Sequence, residues 1–365
     1  MKIAMIGQKG IPATHGGPER HVEELAVRMV ARGHEVVVYT RPNYTDAALR
    51  TYKGVRLASL PSIGTKHLDA ITHVTLCTAL AMRERFDVFH YQAEGPALLS
   101  WLPRLARRAT VVTIHGQDWR RDKWGRLASG VLRLSEWVAM KVPREVICVS
   151  ETLAEEMGKT YGRRPLFIPN GVSLSAGSDD SILDRHGLEP GRYVLFASRL
   201  VPEKGCHYLL EAWRRGDFAG YRLAVAGGSA FSDHYVARLH AAAPREVVFT
   251  GYVYGPRLAS LFRHAALFVL PSDIEGLPIV LLEALGYGTP VLASDIVQNR
   301  EALGRYGVTF AAGSAADLRL KLEECLARHD ELAAQADEAR AAIVRDHDWE
   351  KVADRTLAVY ESLLA

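Results

Sequence analysis

Little in this sequence is suited to stapling a fold or gathering a metal. Its four cysteines, Cys77, Cys148, Cys206 and Cys325, are widely spaced and form no CxxC pair. Their apolar or helical surroundings mark them as buried thiols of a reducing cytoplasm. No apolar run approaches the ~20 residues that span a bilayer. The opening MKIAMIGQKG has too short an apolar core for a leader and is expected to be a first strand. Also missing is GxGxxG after any strand, and no GKS or GKT completes a phosphate-binding loop. The second strand ends VYTRPN with no acidic ribose ligand, so Arg41 alone would serve an NADP-type 2′-phosphate. The sole DxD, Asp346 to Asp348, stands apart from every other motif and reads as a solvated turn. A net charge of +3 is too small to call for a nucleic-acid partner.

What remains is the composition of a soluble globular chain, 48% hydrophobic and 24% charged. At 365 residues it has room for two domains with separate cores. Short β-branched runs alternate with helical patterns, the signature of parallel βαβ units. The first set comprises KIAMIG, EVVVYT, VRLASL, VFHYQ, TVVTIHG, EVICVS and LFIPNG, with helices such as His21 to Arg32 and Leu68 to Arg85. The polar stretch SLSAGSDDSILDRHGLEPGR then reads as a linker. After it come YVLFAS, YRLAVAGG, EVVFTG, LFVLPS, PVLAS and VTFAA, and from Asp317 a helical C-terminus. The expected fold is α/β, two tandem doubly wound Rossmann-like domains facing a central cleft. Their bounds are 1–172 and 173–348, with a last helix at 349–365 packing back on the first domain. Ligands of such sheets bind at the carboxyl ends of the strands.

Five segments at strand ends carry the chemistry. In IEGLPIVLLEALGYGTP, Glu275 stands in a turn, and Pro278 is suited to the first position of the helix that holds Glu283. The free amides near Ile279 and Val280 can receive an anion, and each carboxylate can accept from vicinal hydroxyls. ASRLVPEKG sets Arg199, a planar fork, near Lys204, a point charge, as a diphosphate would require. GQKGIPATHGGPERHVEELA offers Gly16 and Gly17 at a helix start, where backbone approaches phosphate closely. TIHGQD ends a strand in His115 and Asp118. IPNGV ends the last first-domain strand in the Asn170–Gly171 turn.

Taken together, Gly16-Gly17, the His115 strand end, PNGV, SRLVPEKG, and Glu275 with seven residues before Glu283 resemble the retaining GT-B glycosyltransferases of family 4. The resemblance runs from Met1 to the terminal DWEKVADRTLAVYESLL, with Ser198 where many relatives carry glycine. It implies a catalytic set of Glu275, His115, Arg199 and Lys204. Glu283 would bind the ribose hydroxyls, Glu275 those of the donor sugar, and Arg199 with Lys204 the diphosphate. Amides at Gly16 and Gly17 and from Gly276 through Leu277, Pro278 and Ile279 to Val280 would touch the donor. His115 would lie beside the sugar ring, Val253 beside the base, and Asp118 and Asn170 on the acceptor side. No cofactor or metal is implied beyond the nucleotide-sugar co-substrate, with UDP favoured. The acceptor would be a glycan or lipid-linked hydroxyl in cell-envelope or exopolysaccharide assembly.

Residues 101–145 add ten Lys or Arg against four acids, with Trp101, Trp119, Trp124 and Trp137. Cations and tryptophan favour an anionic lipid interface, so a peripheral position on the inner leaflet is one reading. Arginines laid over a tryptophan core are the other. Rival activities are a GT-B-like epimerase or phosphorylase, an NAD(P) oxidoreductase built on Arg41, and a non-catalytic nucleotide-sugar sensor.

Overall fold

The computed structural model describes residues 1–65, 68–117, 119, 126–228 and 233–365. The chain forms two compact units, Met1–Gly171 with Asp348–Ala365, and Val172–His347.

The first unit opens with β1 (Lys2–Ile6), α1 (Gly17–Ala31), β2 (Glu35–Thr40), β3 (Thr51–Tyr52) and β4 (Val55–Ser59). It continues through α2 (Asp69–Ala81), β5 (Val88–Gln92), α3 (Glu94–Ala97), α4 (Trp101–Leu105) and β6 (Ala109–Ile114). Next come α5 (Arg126–Lys141), β7 (Glu145–Cys148), α6 (Glu151–Tyr161) and β8 (Leu166–Phe167). The strand order is β3-β4-β2-β1-β5-β6-β7-β8, parallel except for the β3–β4 hairpin. Residues alternate between the two faces, as the pleat requires. Ile3, Met5, Val36 and Val38 pack with Leu25 of α1 on one side. Ala4, Ile6, Val37 and Tyr39 pack with Val74 of α2 and Met140 of α5 on the other. Burial on both sides explains why these strands read as continuous apolar runs.

The second unit runs α7 (Ser181–His186), β9 (Tyr193–Ala197), α8 (Cys206–Arg215), β10 (Arg222–Ala226), α9 (Asp233–Ala242) and β11 (Val247–Gly251). There follow α10 (Gly255–His264), β12 (Leu267–Leu270), α11 (Ile279–Gly286), β13 (Val291–Ser294), α12 (Val297–Leu303) and β14 (Val308–Phe310), then α13 (Ala315–Ala327) and α14 (His329–Asp346). Its sheet is parallel in the order β11-β10-β9-β12-β13-β14.

The last helix, α15 (Trp349–Leu364), returns to the first unit and buries Trp349, Val352, Leu357 and Tyr360 in its core. At ~1.5–3 kcal/mol per large apolar side chain buried, this docking is firm.

Three sequence readings need correction. The stretch taken as a linker carries α7, with Ile182, Leu183 and Leu188 buried, so it is part of the second unit's body. The first helix starts at Gly17, not His21, because Gly16 turns at φ 102° and Pro18 pre-sets the first turn. Asp348 is the N-cap of α15, accepting from the Glu350 amide at 2.9 Å, rather than part of a solvated turn.

Candidate active site

In the second unit, β9 and β12 are neighbours from which the chain winds outward in opposite directions. That switch point leaves a crevice at the strands' carboxyl ends. Residues 198–204 leave β9 and residues 271–278 leave β12, so both loops border this crevice. Gly205 (φ 69°) brings them together: a Cβ there would stand 1.8 Å from the Pro271 carbonyl oxygen. The Asp273 amide donates to the Glu203 carbonyl at 3.0 Å and locks the approach. Behind it, Ser294 Oγ donates to the Ser272 carbonyl, and Asn299 holds Ser294.

This clamp places the Lys204 ammonium on the Glu275 carboxylate, with side chains only 13% and 8% exposed. Two groups expected to face a ligand separately therefore hold each other. Arg199, half-buried on the same loop, has no ion-pair partner among the described residues. Its charge bears on the Tyr252 hydroxyl. Tyr252 follows β11, and its ring covers Gly228, where a Cβ would meet it at 2.7 Å. Val253 is half-buried beside it.

Pro278 departs from the expected position. With ψ 98° it is the N-cap of α11, and its carbonyl accepts from the Leu281 amide at 3.0 Å. The helix begins at Ile279, so the amides of Ile279 and Val280 have no carbonyl a turn behind them. Gly276 and Leu277 lie in the turn before. Glu283 is half-buried four residues after Ile279, on the same helix face.

In the first unit, Gly16 and Gly17 form the start of α1, which already holds a carboxylate. A Cβ on Gly16 would lie 1.9 Å from Glu19 Oε2, and Glu19 Oε1 accepts from the Lys9 amide at 3.0 Å. Glu23 accepts from the Ala13 amide at 2.6 Å, and Tyr44 from the amides of Thr14 and His15. The glycine-rich loop is thus ordered by side chains that the motif itself does not announce.

His115 follows β6, and its Nε2 meets Gln92 Oε1, at the end of neighbouring β5, at 2.9 Å. The ring of His21 from α1 stands edge-on to it, with centroids 4.8 Å apart. Burial, then the nearby His21 and His90, hold His115 well below the ordinary imidazole pKa. Burial likewise lowers His21 to about 4 and His90 to about 3. Asn170, expected to face an acceptor, is instead buried and receives a hydrogen bond from His21 Nδ1 at 2.9 Å. Asp118 lies outside the described residues, as do Arg120, Arg121, Asp122, Lys123 and Trp124.

Arg41 is unavailable to a dinucleotide. It is buried, pairs with Asp69 at 2.6 Å, and reaches the Gly7 carbonyl. Trp101 and Trp137 are exposed, contrary to a tryptophan core, whereas half-buried Trp119 donates to buried Glu136 at 2.7 Å. Gln92 and Tyr44 carried no sequence signal beyond their place at or after strand ends, and Glu19 and His21 none beyond the start of α1.

Two family models match the chain: Glycosyltransferase Family 4 over residues 15–176 and Glycosyl transferases group 1 over residues 191–328. The chain is 31% identical to a phosphatidyl-myo-inositol mannosyltransferase of Mycobacterium leprae, over 100% of its own length and 97% of the relative. It is 30% identical to a glycogen synthase of Mycobacterium tuberculosis, over 99% and 94%. Among solved structures, Anabaena Alr3699/HepE in complex with UDP and glucose superposes with a TM-score of 0.82 at 21% identity, covering 99% and 100% of the two chains.

Proposed function

Because the chain belongs to the group 1 and family 4 glycosyltransferases, we propose that it moves a hexosyl unit from a nucleoside-diphosphate sugar to a hydroxyl acceptor with retention of configuration. The observation that carries this reading is the clamp between the β9 and β12 loops, which gathers Arg199, Lys204, Glu275 and the start of α11 at one crevice.

The difficult step in such a transfer is departure of the nucleoside diphosphate, whose negative charge grows as the glycosidic bond breaks. Arg199, Lys204 and the amides of Ile279 and Val280 supply fixed positive charge and dipoles for it, a role that asks for no metal ion. Lys204 pairs with Glu275, so a diphosphate beside it would compete with that carboxylate. Glu275 then accepts from the donor sugar's hydroxyls, and Glu283 from the ribose hydroxyls. His115 borders the sugar, and the acceptor hydroxyl attacks an oxocarbenium-like centre from the face the diphosphate leaves. UDP is the first nucleotide to test, since Alr3699/HepE carries it. Relatives named for glycogen and phosphatidyl-myo-inositol support glycan or lipid-linked acceptors of envelope or exopolysaccharide assembly. An oxidoreductase reading loses its one anchor, because Arg41 is committed to Asp69.

A membrane-bound acceptor fits the outer surface of the first unit. Among the described residues no helix is long and apolar enough to cross a membrane. Yet α2 exposes Leu76 and Leu80, α4 exposes Trp101 and Leu105 (74%), and α5 exposes Val131, Leu134 and Trp137. Arg104, Arg107, Arg108, Arg133 and Lys141 are exposed among them, and the one acid described between 101 and 141, Glu136, is buried. Apolar side chains interleaved with exposed cations suit an anionic lipid surface.

The test is a thermal-shift panel of UDP, GDP, dTDP, ADP, NAD⁺ and NADP⁺ on the wild type and Glu283→Ala. A ligand at 100 times its dissociation constant adds about 2.7 kcal/mol. One nucleoside diphosphate should stabilise the protein, and Glu283→Ala should abolish the effect. Stabilisation by dinucleotides alone would overturn the reading.

A further inference from the structure

The hydrogen bonds around His115 decide which of its nitrogens carries the proton. Gln92 is buried at the end of β5, and its amide nitrogen donates to the Met5 sulfur at 3.7 Å. Sulfur can only accept, so the amide oxygen is the end turned to His115, 2.9 Å from Nε2. An oxygen acceptor requires a donor opposite, so Nε2 bears the hydrogen and Nδ1 keeps its lone pair.

Three further contacts hold this arrangement. His21 donates through Nδ1 to Asn170 Oδ1 and sets its ring edge-on to His115, which limits rotation of both rings. His90, two residues before Gln92 on β5, is pinned between Thr113 at 2.7 Å and Tyr360 at 2.5 Å. The backbone also marks the place: Ala93, directly after Gln92, sits at φ 78°, ψ 165°. That region is almost confined to glycine and costs about 1–3 kcal/mol. Its amide donates to the Thr113 carbonyl at 2.8 Å, so the strained turn is fastened to the strand that carries His115.

We propose that Gln92 is a positioning residue of the transfer reaction: it fixes His115 as the Nε2–H tautomer and so presents Nδ1 as an acceptor for a hydroxyl of the bound sugar. The role rests on the reading above that His115 borders the donor. The preference for a neutral ring follows from its surroundings. The titratable groups bearing on it are His21 from α1 and His90 from β5, both themselves neutral in the folded protein near neutral pH. An imidazolium would have no lone pair to offer.

The experiment uses the full chain with isotope-labelled histidine, His115→Asn to assign its resonances, and the variants Gln92→Met and Gln92→Glu. Imidazole nitrogen spectra near neutral pH should show wild-type His115 neutral, with hydrogen on Nε2. Gln92→Met fills the same space without the acceptor, so the Nδ1–H tautomer should grow in and kcat fall on the order of 10- to 100-fold, with donor KM changing far less. Gln92→Glu restores an oxygen acceptor and should recover the Nε2–H form. Its charge favours the imidazolium, so the acid limb of the kcat profile should move to higher pH. An Nδ1–H tautomer in the wild type would overturn the proposal, as would a rate loss in Gln92→Met with the tautomer unchanged. Because the spectra need no donor, failure of the tautomer assignment and failure of the transferase reading register in different arms.

Discussion

The Lys204–Glu275 pair makes a counterintuitive prediction about Glu275→Gln. The Lys204 ammonium is held by a carboxylate that is almost buried. A diphosphate arriving beside Lys204 competes with that carboxylate. Hydrogen bonds to charged groups contribute about 1.5–3 kcal/mol net, and part of this is what the ligand gives up in drawing Lys204 over. Glutamine keeps the shape and removes the competing charge. UDP lacks the donor hexose and loses nothing when the carboxylate goes, so it should bind Glu275→Gln roughly tenfold more tightly, a gain of about 1.4 kcal/mol. The intact nucleotide sugar loses the acceptor for its hydroxyls, so its affinity should not rise, and kcat should fall by ~10²-fold. The variant also leaves a partly desolvated lysine with a weaker partner. Breaking a buried pair costs 3–5 kcal/mol, and the residual exposure of Lys204 favours the lower end, roughly 3 kcal/mol. For a unit of this size the melting temperature should then fall by about 6–12 °C. Titration calorimetry with UDP and with UDP-sugar, at one fixed low ionic strength, reads both affinities, and initial rates read turnover. If Glu275→Gln weakened UDP by about threefold or more, some 0.7 kcal/mol, the carboxylate would be aiding the diphosphate and the competition argument would fail.

Two other outcomes follow from the first unit. Full-length protein should co-sediment with anionic vesicles at low salt. Trp101→Ser with Trp137→Ser, both exposed, should reduce retention severalfold without changing soluble-acceptor turnover, and equal retention would leave the apolar face without a role. Stability should fall as pH drops from 6.5 towards 4. His21 and His73 sit at about 4 and His90 at about 3 in the folded protein, lowered chiefly by burial. The unfolded chain takes up protons first, so each histidine subtracts up to about 1.36 kcal/mol per pH unit in that window. Denaturant midpoints at several pH values should show this slope, reduced by about one proton in His21→Asn, and a flat profile would contradict the burial assignment.

The second unit's candidate crevice was legible because its residues sit in contiguous loops. A strand run followed by RLVPEK, and another followed by EGLP and a helix, locate Arg199, Lys204, Glu275 and Ile279 without reference to anything distant in sequence. Their convergence at one crevice follows from the doubly wound order alone. What the pattern could not deliver was their pairing. Lys204 and Glu275 meet because Gly205 lets one loop press against Pro271, a contact between segments sixty-odd residues apart. Pro278 was misplaced by one position for a related reason. Proline is suited to a first helical turn, but ψ 98° keeps it outside the helix, where its carbonyl serves as the first acceptor.

The first unit shows the opposite balance. Its strands were plain, yet the residues that order its loops gave no signal, because a buried Gln at a strand end looks like any polar residue beside a turn. Gln92 gains its meaning only when β5 and β6 lie side by side and Gln92 pairs in register with Thr113, two residues before His115. Asn170 shows the same limit from the other direction. An Asn-Gly turn reads as exposed, but Gly171 leaves room for the Trp349 ring, 2.5 Å from where a Cβ would stand, and α15 closes over it. The asparagine is then buried beside His21 and accepts from its Nδ1. A residue that a one-dimensional reading assigns to a ligand thus serves the side chain behind it, and the tautomer proposed for His115 is the point at which that hidden layer would reach the chemistry.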